Sequence, residues 1–204
     1  MDILLIIFYS YIIGSIPFGL ILTKTFSNLD VRKIGSGNIG ATNVLRTGNK
    51  YLAFFTLMLD ILKGYIPVIV TGEYNSEFIY LSCITVFLGH LFPIWLKFKG
   101  GKGVATYVGI LASLSLQLFF LFIFSWLVIS LIFKYSSLSS MFASFTVFVV
   151  NFIRETYLSS STTSLANLEI PDSKILFIFF ILIIFTHRVN ISNLKNKKEK
   201  KLKI

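Results

Sequence analysis

Residues 104–133 read VATYVGILASLSLQLFFLFIFSWLVISLIF. This run is too long for one untilted helix, because about 20 residues already span a hydrocarbon core of about 30 Å. Its middle carries SLSLQ at residues 113–117, a polar break of the kind expected between two helices. Whether the run is one helix or two decides on which side of the membrane the rest of the chain lies.

Composition places the chain in a membrane. Its 204 residues are 55% hydrophobic and 14% charged, whereas water-soluble domains carry about 25% charged residues. The single cysteine, Cys83, lies in an apolar run, which excludes a disulfide framework and a cysteine-based zinc site. The N-terminus lacks the basic segment and cleavage site of a signal peptide, so we expect it to begin the first span.

The positions of the basic residues predict the topology, since Lys and Arg near span ends collect in the cytoplasm. If two helices meet near Ser115, every Lys and Arg lies on the cytoplasmic side except Lys63, Arg154 and Lys174. We therefore predict an all-α polytopic membrane protein with seven transmembrane helices, the N-terminus outside and the C-terminus in the cytoplasm. Besides the two halves of 104–133, the predicted spans are residues 3–22, 51–70, 78–98, 138–153 and 175–186.

One domain boundary, between residues 191 and 192, follows from this topology. Residues 1–191 are predicted to form a single transmembrane catalytic domain, and residues 192–204 a basic cytoplasmic tail. The tail either contacts anionic lipid, worth about 1 kcal/mol per base, or is a solvated end. The polar residues 159–163 are expected to form an external linker.

Two glycine-rich stretches resemble nucleotide-binding motifs without meeting their requirements. GSGNIG at 35–40 fits G-x-G-x-x-G, but that fingerprint needs a preceding strand, and here a membrane span precedes it. GGKG at 100–103 is no P-loop, because Leu96 and Gly103 replace the required glycine and hydroxyl. No nucleotide is expected, yet glycine amides beside a lysine at a helix start still favour an anion such as phosphate.

Three polar clusters lie on the predicted cytoplasmic side. They are GSGNIGATNVLR at 35–46, GHLFPIWLKFKGGKGVAT at 89–106 and HRVNI at 187–191. Together they supply glycine amides, hydroxyl and amide groups, the cations Arg46 and Lys102, and the imidazoles of His90 and His187. Such groups at a membrane surface indicate a site where a phosphorylated substrate meets a lipid.

At these clusters, and at GSIPFG over residues 14–19, the sequence resembles the bacterial acyl-phosphate:glycerol-3-phosphate acyltransferases. The resemblance extends from residue 14 to about 191. It implies an integral enzyme of the bacterial inner (plasma) membrane with a cytoplasmic active site, which starts phospholipid synthesis by transferring a fatty acyl group from acyl phosphate to the 1-hydroxyl of sn-glycerol 3-phosphate. The products are lysophosphatidate and phosphate. Membrane lipids are expected neighbours, while no cofactor, metal or nucleic acid is expected and no protein partner is predicted.

The resemblance also implies the site residues. The implied catalytic residues are Ser36, Arg46, Lys102, His187 and Asn190, and the implied substrate-binding residues are Gly35, Gly37, Asn38, Gly40, Thr42, Asn43, His90, Gly100, Gly101, Gly103, Ser137 and Ser140. The two cations can offset the repulsion between two phosphates. Either His187 or a substrate phosphate oxygen can take the proton of the attacking hydroxyl.

Some assignments keep an alternative. His90 can pack its loop instead of binding substrate, and Ser137 and Ser140 can cap a helix. Beyond Asn190 the chain departs from the family pattern, because Asn193 and Lys197 replace an arginine and a glycine, while Glu199 can match the family's acid.

Asp60 and Lys63 are neighbours on one helix face inside an apolar run. They are either functional, as ionisable groups in spans usually are, or a self-neutralising pair that fixes helix packing.

An alternative function is membrane transport of phosphate or a small organic phosphate. It is disfavoured because the charged groups cluster at one membrane face, whereas secondary transporters bind near the midplane and are built from internal repeats, of which this sequence gives no sign.

Overall fold

The computed structural model describes residues 2–160 and 171–202. Within these ranges the chain forms helices joined by turns, with no strand, which confirms the predicted all-α class. The helices are α1 (Ile3–Ser15), α2 (Phe18–Ser27), α3 (Ala41–Val44), α4 (Lys50–Asn75), α5 (Ile79–Leu91), α6 (Val104–Leu114), α7 (Leu116–Phe133), α8 (Ser136–Ser160), α9 (Ser173–Thr186) and α10 (Arg188–Lys195). The chain divides into two compact units, Met1–Ser113 and Leu114–Ile204.

Several of these helices can cross a membrane. Among the described residues, four helical stretches are long and apolar enough: Ile3–Ser27, Lys50–Leu96, Leu116–Phe133 and Ser136–Tyr157. The pair α9 and α10, bent by 57° at His187, makes a fifth if it counts as one span. Helix α6 has 11 residues, about half of what a hydrocarbon core requires, so the count of seven spans stays a prediction.

The predicted interruption near Ser115 is confirmed. Helix α6 ends at Leu114 and α7 begins at Leu116. Between them Ser115 is extended, with φ of −163°, and its side chain accepts a hydrogen bond from the backbone N–H of Leu118. An N-cap serine satisfies an amide that the first turn of a helix leaves without a partner.

The predicted external linker falls only partly within the described structure. Helix α8 continues to Ser160, so the first two residues of the predicted linker are helical. Residues 161–163 lie outside the described ranges.

In the first unit, Pro17 separates α1 from α2. Proline has no N–H to donate and clashes with the preceding turn of a helix, so α1 ends at Ser15 and Ile16 is extended, with φ of −64° and ψ of 117°. Helix α2 then begins at Phe18. This break exposes the carbonyl of Ile16 to contacts with other elements.

Helices α1 and α5 cross at close range through glycines. A Cβ on Gly14 would collide with the backbone of Val86, and one on Gly89 with the carbonyl oxygen of Tyr11. Small residues let helix backbones approach in membranes, where dispersion contacts and interhelical hydrogen bonds hold helices together. The hydroxyls of Ser10 and Ser82 add such a bond, 2.9 Å long and buried.

An apolar cluster supports the end of the first unit that carries the first glycine-rich loop. This loop comprises residues 28–49, between α2 and α4, and includes α3. The members of the cluster all come from α2, the loop and the start of α4: Leu20, Val31, Ile39, Val44, Leu52 and Ala53. Because side chains of the loop itself are buried here, this loop is fixed by packing as well as by hydrogen bonds.

In the second unit, polar contacts hold the start of α9 against α8. Nδ2 of Asn151 donates to the carbonyl of Pro171 at 2.7 Å and lies 3.1 Å from Oγ of Ser173. The carboxylate of Glu155 accepts from the backbone N–H of Ser173 at 3.0 Å. Further along these helices the rings of Phe148 and Phe177 pack 5.2 Å apart.

Candidate active site

The first glycine-rich loop folds around the side chain of Asn43, which is 2% exposed. Its Nδ2 lies 2.9 Å from the carbonyl oxygens of Val31 and Ile34 and 2.7 Å from that of Asn38. Its Oδ1 accepts from the backbone N–H of Ser36 at 2.9 Å. The amide group thus uses both its donors and its acceptor inside the loop, so Asn43 holds the loop in shape.

Ser36 and Arg46 lie exposed on this loop. Nη1 of Arg46 is 3.4 Å from Oδ1 of Asn43, which ties the guanidinium to the centre of the loop. Gly35 has φ of 59°, and a Cβ there would lie 2.8 Å from Cδ of Arg46. The backbone N–H of Ser36 and the guanidinium of Arg46 thus share one acceptor, Oδ1 of Asn43. The roles of the two side chains toward a substrate stay predictions.

Among the other predicted residues of this loop, Asn38 and Gly37 shape its backbone. Oδ1 of Asn38 accepts from the backbone N–H of Gly40 at 2.8 Å, which closes a turn. Gly37 has φ of 73°, a left-handed conformation that favours glycine, and Thr42 is exposed.

Arg32 shows why Arg46 is the better candidate for binding an anion. The guanidinium of Arg32 is already paired with Asp30, at 2.6 Å between Nη2 and Oδ2 and 2.9 Å between Nε and Oδ1. These hydrogen bonds to Arg32 hold the pKa of the Asp30 carboxyl well below its usual range. The Asp30 carboxylate occupies two of the N–H donors of Arg32 and offsets its charge, which leaves Arg46 better placed to bind an anion.

The second glycine-rich loop runs from Gly100 to Gly103, just before α6. The backbone N–H of Gly100 donates to the carbonyl of Leu91 at 3.0 Å, and that of Gly101 to the carbonyl of His90 at 3.1 Å. These two amides are therefore engaged within the protein. Amides able to meet an anion belong instead to the start of α6, where the first turn points its N–H groups outward.

Lys102 is half-buried in this loop, between the two buried glycines Gly101 and Gly103. Gly103 has φ of 84°, and a Cβ there would strike the ring of Phe87. The lysine is thus held at the start of α6, beside the amides that could meet an anion.

His90 lies beneath this loop. It is 4% exposed, and a Cβ on Gly101 would collide with its Nε2. Of the two predicted alternatives for His90, the structure favours packing of the loop.

In the second unit, His187 stands at the bend between α9 and α10 and is 2% exposed. Its Nδ1 lies 2.8 Å from the carbonyl oxygen of Ile183. A carbonyl oxygen only accepts hydrogen bonds, so Nδ1 carries the proton and Nε2 of the neutral ring has the lone pair that a base needs.

Ser137 and Asn190 are joined by an acid that the predicted site did not include. Oε1 of Glu199 accepts from Oγ of Ser137 at 2.9 Å and from Nδ2 of Asn190 at 2.7 Å. The sequence signal for it is weak: Glu199 is one acid among the lysines of the tail, at the position where it can match the family's acid. The basic tail thus returns to the helices, and the backbone N–H of Leu202 donates to the carbonyl of Lys134 at 2.7 Å.

Ser140 is occupied by helix packing. Its hydroxyl donates to the carbonyl of Ser136 at 2.9 Å and accepts from the indole N–H of Trp126 at 3.1 Å. The structure thus gives Ser140 a structural role between α7 and α8. Ser137, in contrast, is linked to Asn190 through Glu199.

Comparison with known proteins shows the family of this chain. The sequence model of the family described as Glycerol-3-phosphate acyltransferase matches residues 4–197. A glycerol-3-phosphate acyltransferase of Pelagibacter ubique is 51% identical over 204 residues, covering 100% of both chains. One of Mesorhizobium japonicum is 46% identical and covers 98% of this chain and 95% of its own.

Solved structures agree as well. The crystal structure of PlsY (YgiH), an integral membrane glycerol 3-phosphate acyltransferase, in its glycerol 3-phosphate form has a TM-score of 0.86 and 32% identity, covering 98% of this chain and 94% of that one. Its lysophosphatidic acid form gives a TM-score of 0.83 at 31% identity, covering 97% and 94%.

The relatives are acyltransferases by name, so the transporter alternative is not supported. The membrane protein described here is an enzyme of phospholipid synthesis and belongs to the glycerol-3-phosphate acyltransferase family.

Proposed function

We propose that the acyl donor is acyl phosphate and that the acyl group is transferred to the 1-hydroxyl of sn-glycerol 3-phosphate, giving lysophosphatidate and phosphate. The observation that carries this proposal is the loop built on Asn43, which presents Ser36 and Arg46 at its surface while Arg32 is paired with Asp30. A rigid loop with one available guanidinium suits a phosphorylated substrate, because arginine binds phosphate oxygens as a planar fork.

Lys102 and the start of α6 supply the second phosphate-binding feature in this proposal. The loop bonds of Gly100 and Gly101 fix the backbone just before the helix. A lysine at a helix N-terminus adds its charge to the outward-pointing amides and to the helix dipole. Two cationic features in one unit offset the repulsion between an acyl phosphate and a glycerol phosphate.

The proposed chemistry needs no covalent enzyme intermediate, because acyl phosphate is already an activated anhydride. The 1-hydroxyl oxygen forms a bond to the acyl carbonyl carbon, the bond from that carbon to the bridging phosphate oxygen breaks, and phosphate leaves with the electron pair. The protein contributes orientation of the two substrates and stabilisation of the negative charge that develops on the carbonyl oxygen.

His187 is the proposed acceptor of the hydroxyl proton, with a substrate phosphate oxygen as the alternative acceptor. The hydrogen bond from Nδ1 to the Ile183 carbonyl fixes the ring and leaves Nε2 as the basic nitrogen. Asn190 is proposed to act beside it, oriented by its bond to Glu199.

We further propose that residues 1–191 act as one catalytic domain in the bacterial inner (plasma) membrane, with seven spans, the N-terminus outside and a cytoplasmic active site. Residues 192–204 form its basic cytoplasmic tail, which we place against membrane lipid. Supporting this count, each of the seven predicted segments overlaps a helix of the described structure.

The proposed phosphate-binding residues are tested by alanine substitution. In purified protein supplied with acyl phosphate and glycerol 3-phosphate, Arg46→Ala and Lys102→Ala should lose most of the turnover while still eluting as folded protein. Arg32→Ala is the matched control and should retain turnover, because its guanidinium is paired with Asp30. Full turnover in both test variants contradicts the assignment.

A further inference from the structure

A buried ion pair lies in the first unit, apart from the proposed substrate groups. Asp60 and Lys63 are one turn apart on α4, with 2.7 Å between Oδ1 and Nζ, and their side chains are 3% and 2% exposed. The ion pair that one of the two sequence-based alternatives requires is therefore formed. Burying two charges costs free energy, and apolar residues of similar volume often stabilise a protein more. This pair therefore points to a role in orienting its neighbours.

One end of the pair is anchored at the break in the first span. Nζ of Lys63 donates to the carbonyl oxygen of Ile16 at 2.7 Å and lies 5.6 Å from the centre of the Phe18 ring. The interruption caused by Pro17 exposes that carbonyl for this bond. Because Lys63 is held by Ile16 and paired with Asp60, the carboxylate of Asp60 is fixed in position.

The other end of the pair faces His90. Nδ1 of His90 lies 4.0 Å from Oδ1 of Asp60, and within the described residues this nitrogen has no hydrogen-bond partner. At that separation the carboxylate favours one orientation of the imidazole, because a nearby fixed charge in an apolar interior acts strongly on a polar ring.

The ring of His90 in turn supports the second glycine-rich loop. A Cβ on Gly101 would collide with its Nε2, and a Cβ on Gly103 would collide with the ring of Phe87. Residues 87 and 90 share one face of α5, because positions three apart on a helix are neighbours. The backbone carbonyl of His90 also accepts the amide of Gly101, so this histidine fixes the loop from two sides.

We propose that Asp60 is a positioning residue for the phosphate-binding loop: it holds the ring of His90 under Gly101, and the ring sets the path of residues 100–103 at the start of α6. This inference rests on the proposed function of that loop. The two roles of the Asp60–Lys63 pair have different effects. A pair that only packs helices affects stability, whereas a pair that positions the loop affects the affinity for the phosphate group of one substrate.

The test measures kcat and KM for each substrate separately in Asp60→Asn, His90→Gln and the double variant. We expect Asp60→Asn to raise KM about tenfold for the substrate whose phosphate binds the loop, with kcat within about twofold of wild type. Which KM rises, that of glycerol 3-phosphate or that of acyl phosphate, identifies the source of the phosphate. His90→Gln should raise the same KM, and the double variant should do no more than the larger single change, because both act through one ring.

Ser10→Ala is the matched control. It removes a buried polar contact in the same unit, the bond to Ser82, which lies two turns of α5 away from His90. It should lower thermal stability without changing either KM.

Unchanged KM values in folded Asp60→Asn overturn the inference, as does a loss of kcat alone. If Asp60→Asn does not fold, His90→Gln decides: a raised KM supports the inference and an unchanged KM overturns it. If wild-type protein does not use acyl phosphate, the proposed donor is wrong. The role of Asp60 is then tested by the KM for glycerol 3-phosphate, measured with whichever acyl donor the wild-type protein does use.

Discussion

Asn43 determines the shape of the first loop through one side chain. Its amide contacts three carbonyls and the backbone N–H of Ser36, and it accepts from Arg46 as well. Motif resemblance marked Asn43 as a substrate contact, since a motif does not reveal whether an amide faces the substrate or the loop's own backbone. The structure shows that the amide of Asn43 faces the loop's own backbone.

Replacing Asn43 by alanine should therefore abolish activity and lower stability. The carbonyls left without a donor are expected to cost about 1–3 kcal/mol, measured as a lower thermal midpoint in detergent. Asn49→Ala is the control: it removes the N-cap of α4, a 3.0 Å bond from Leu52, at about 1 kcal/mol, and should leave turnover intact. Activity retained in Asn43→Ala contradicts its role in shaping the loop.

A substitution at His187 distinguishes the two proposed acceptors of the hydroxyl proton. His187→Asn keeps a donor for the Ile183 carbonyl but has no basic nitrogen. If Nε2 is the base, kcat should fall by about 10²- to 10⁴-fold with little change in KM. A kcat close to wild type assigns the proton to the substrate phosphate instead.

At the scale of helices, local spacing predicts most of what is observed. The break at Ser115 and the Asp60–Lys63 pair follow from neighbours in sequence, because capping and i,i+3 contacts need no tertiary information. The bond between Ser137 and Glu199 joins residues 62 apart, so the sequence offered only a weak signal that the basic tail returns to α8. The role of His90 could not be predicted either, because its support of Gly101 is a tertiary contact.

Two helical glycines test whether α1 and α5 depend on close approach. In Gly14→Ala the new Cβ meets the backbone of Val86, whereas in Gly72→Ala it lies at an ordinary 3.4 Å from the Ile79 side chain. Gly14→Ala should destabilise the protein by about 1–3 kcal/mol through overpacking. Gly72→Ala should be neutral or stabilise by up to about 1 kcal/mol through helix propensity. Thermal unfolding in detergent compares them, and equal midpoints contradict a tight crossing.

At the scale of the molecule, the proposed topology places the two ends of the chain on opposite sides of the membrane. The native cysteine, Cys83, is fully buried, so a cysteine introduced at an exposed site can be labelled against a low background. Glu77, between α4 and α5, and Lys195, at the end of α10, are exposed positions. With a membrane-impermeant maleimide, Glu77→Cys should react from outside intact cells, and Lys195→Cys only in inverted vesicles. Reaction of both from the same side contradicts the count of seven spans.

The identity of the acyl donor tests the central claim most directly. Purified protein in detergent is given glycerol 3-phosphate with either acyl phosphate or acyl-CoA, and the product is identified by mass. The proposed donor predicts lysophosphatidate and free phosphate from acyl phosphate, and no product from acyl-CoA. Product from acyl-CoA alone would contradict the claim.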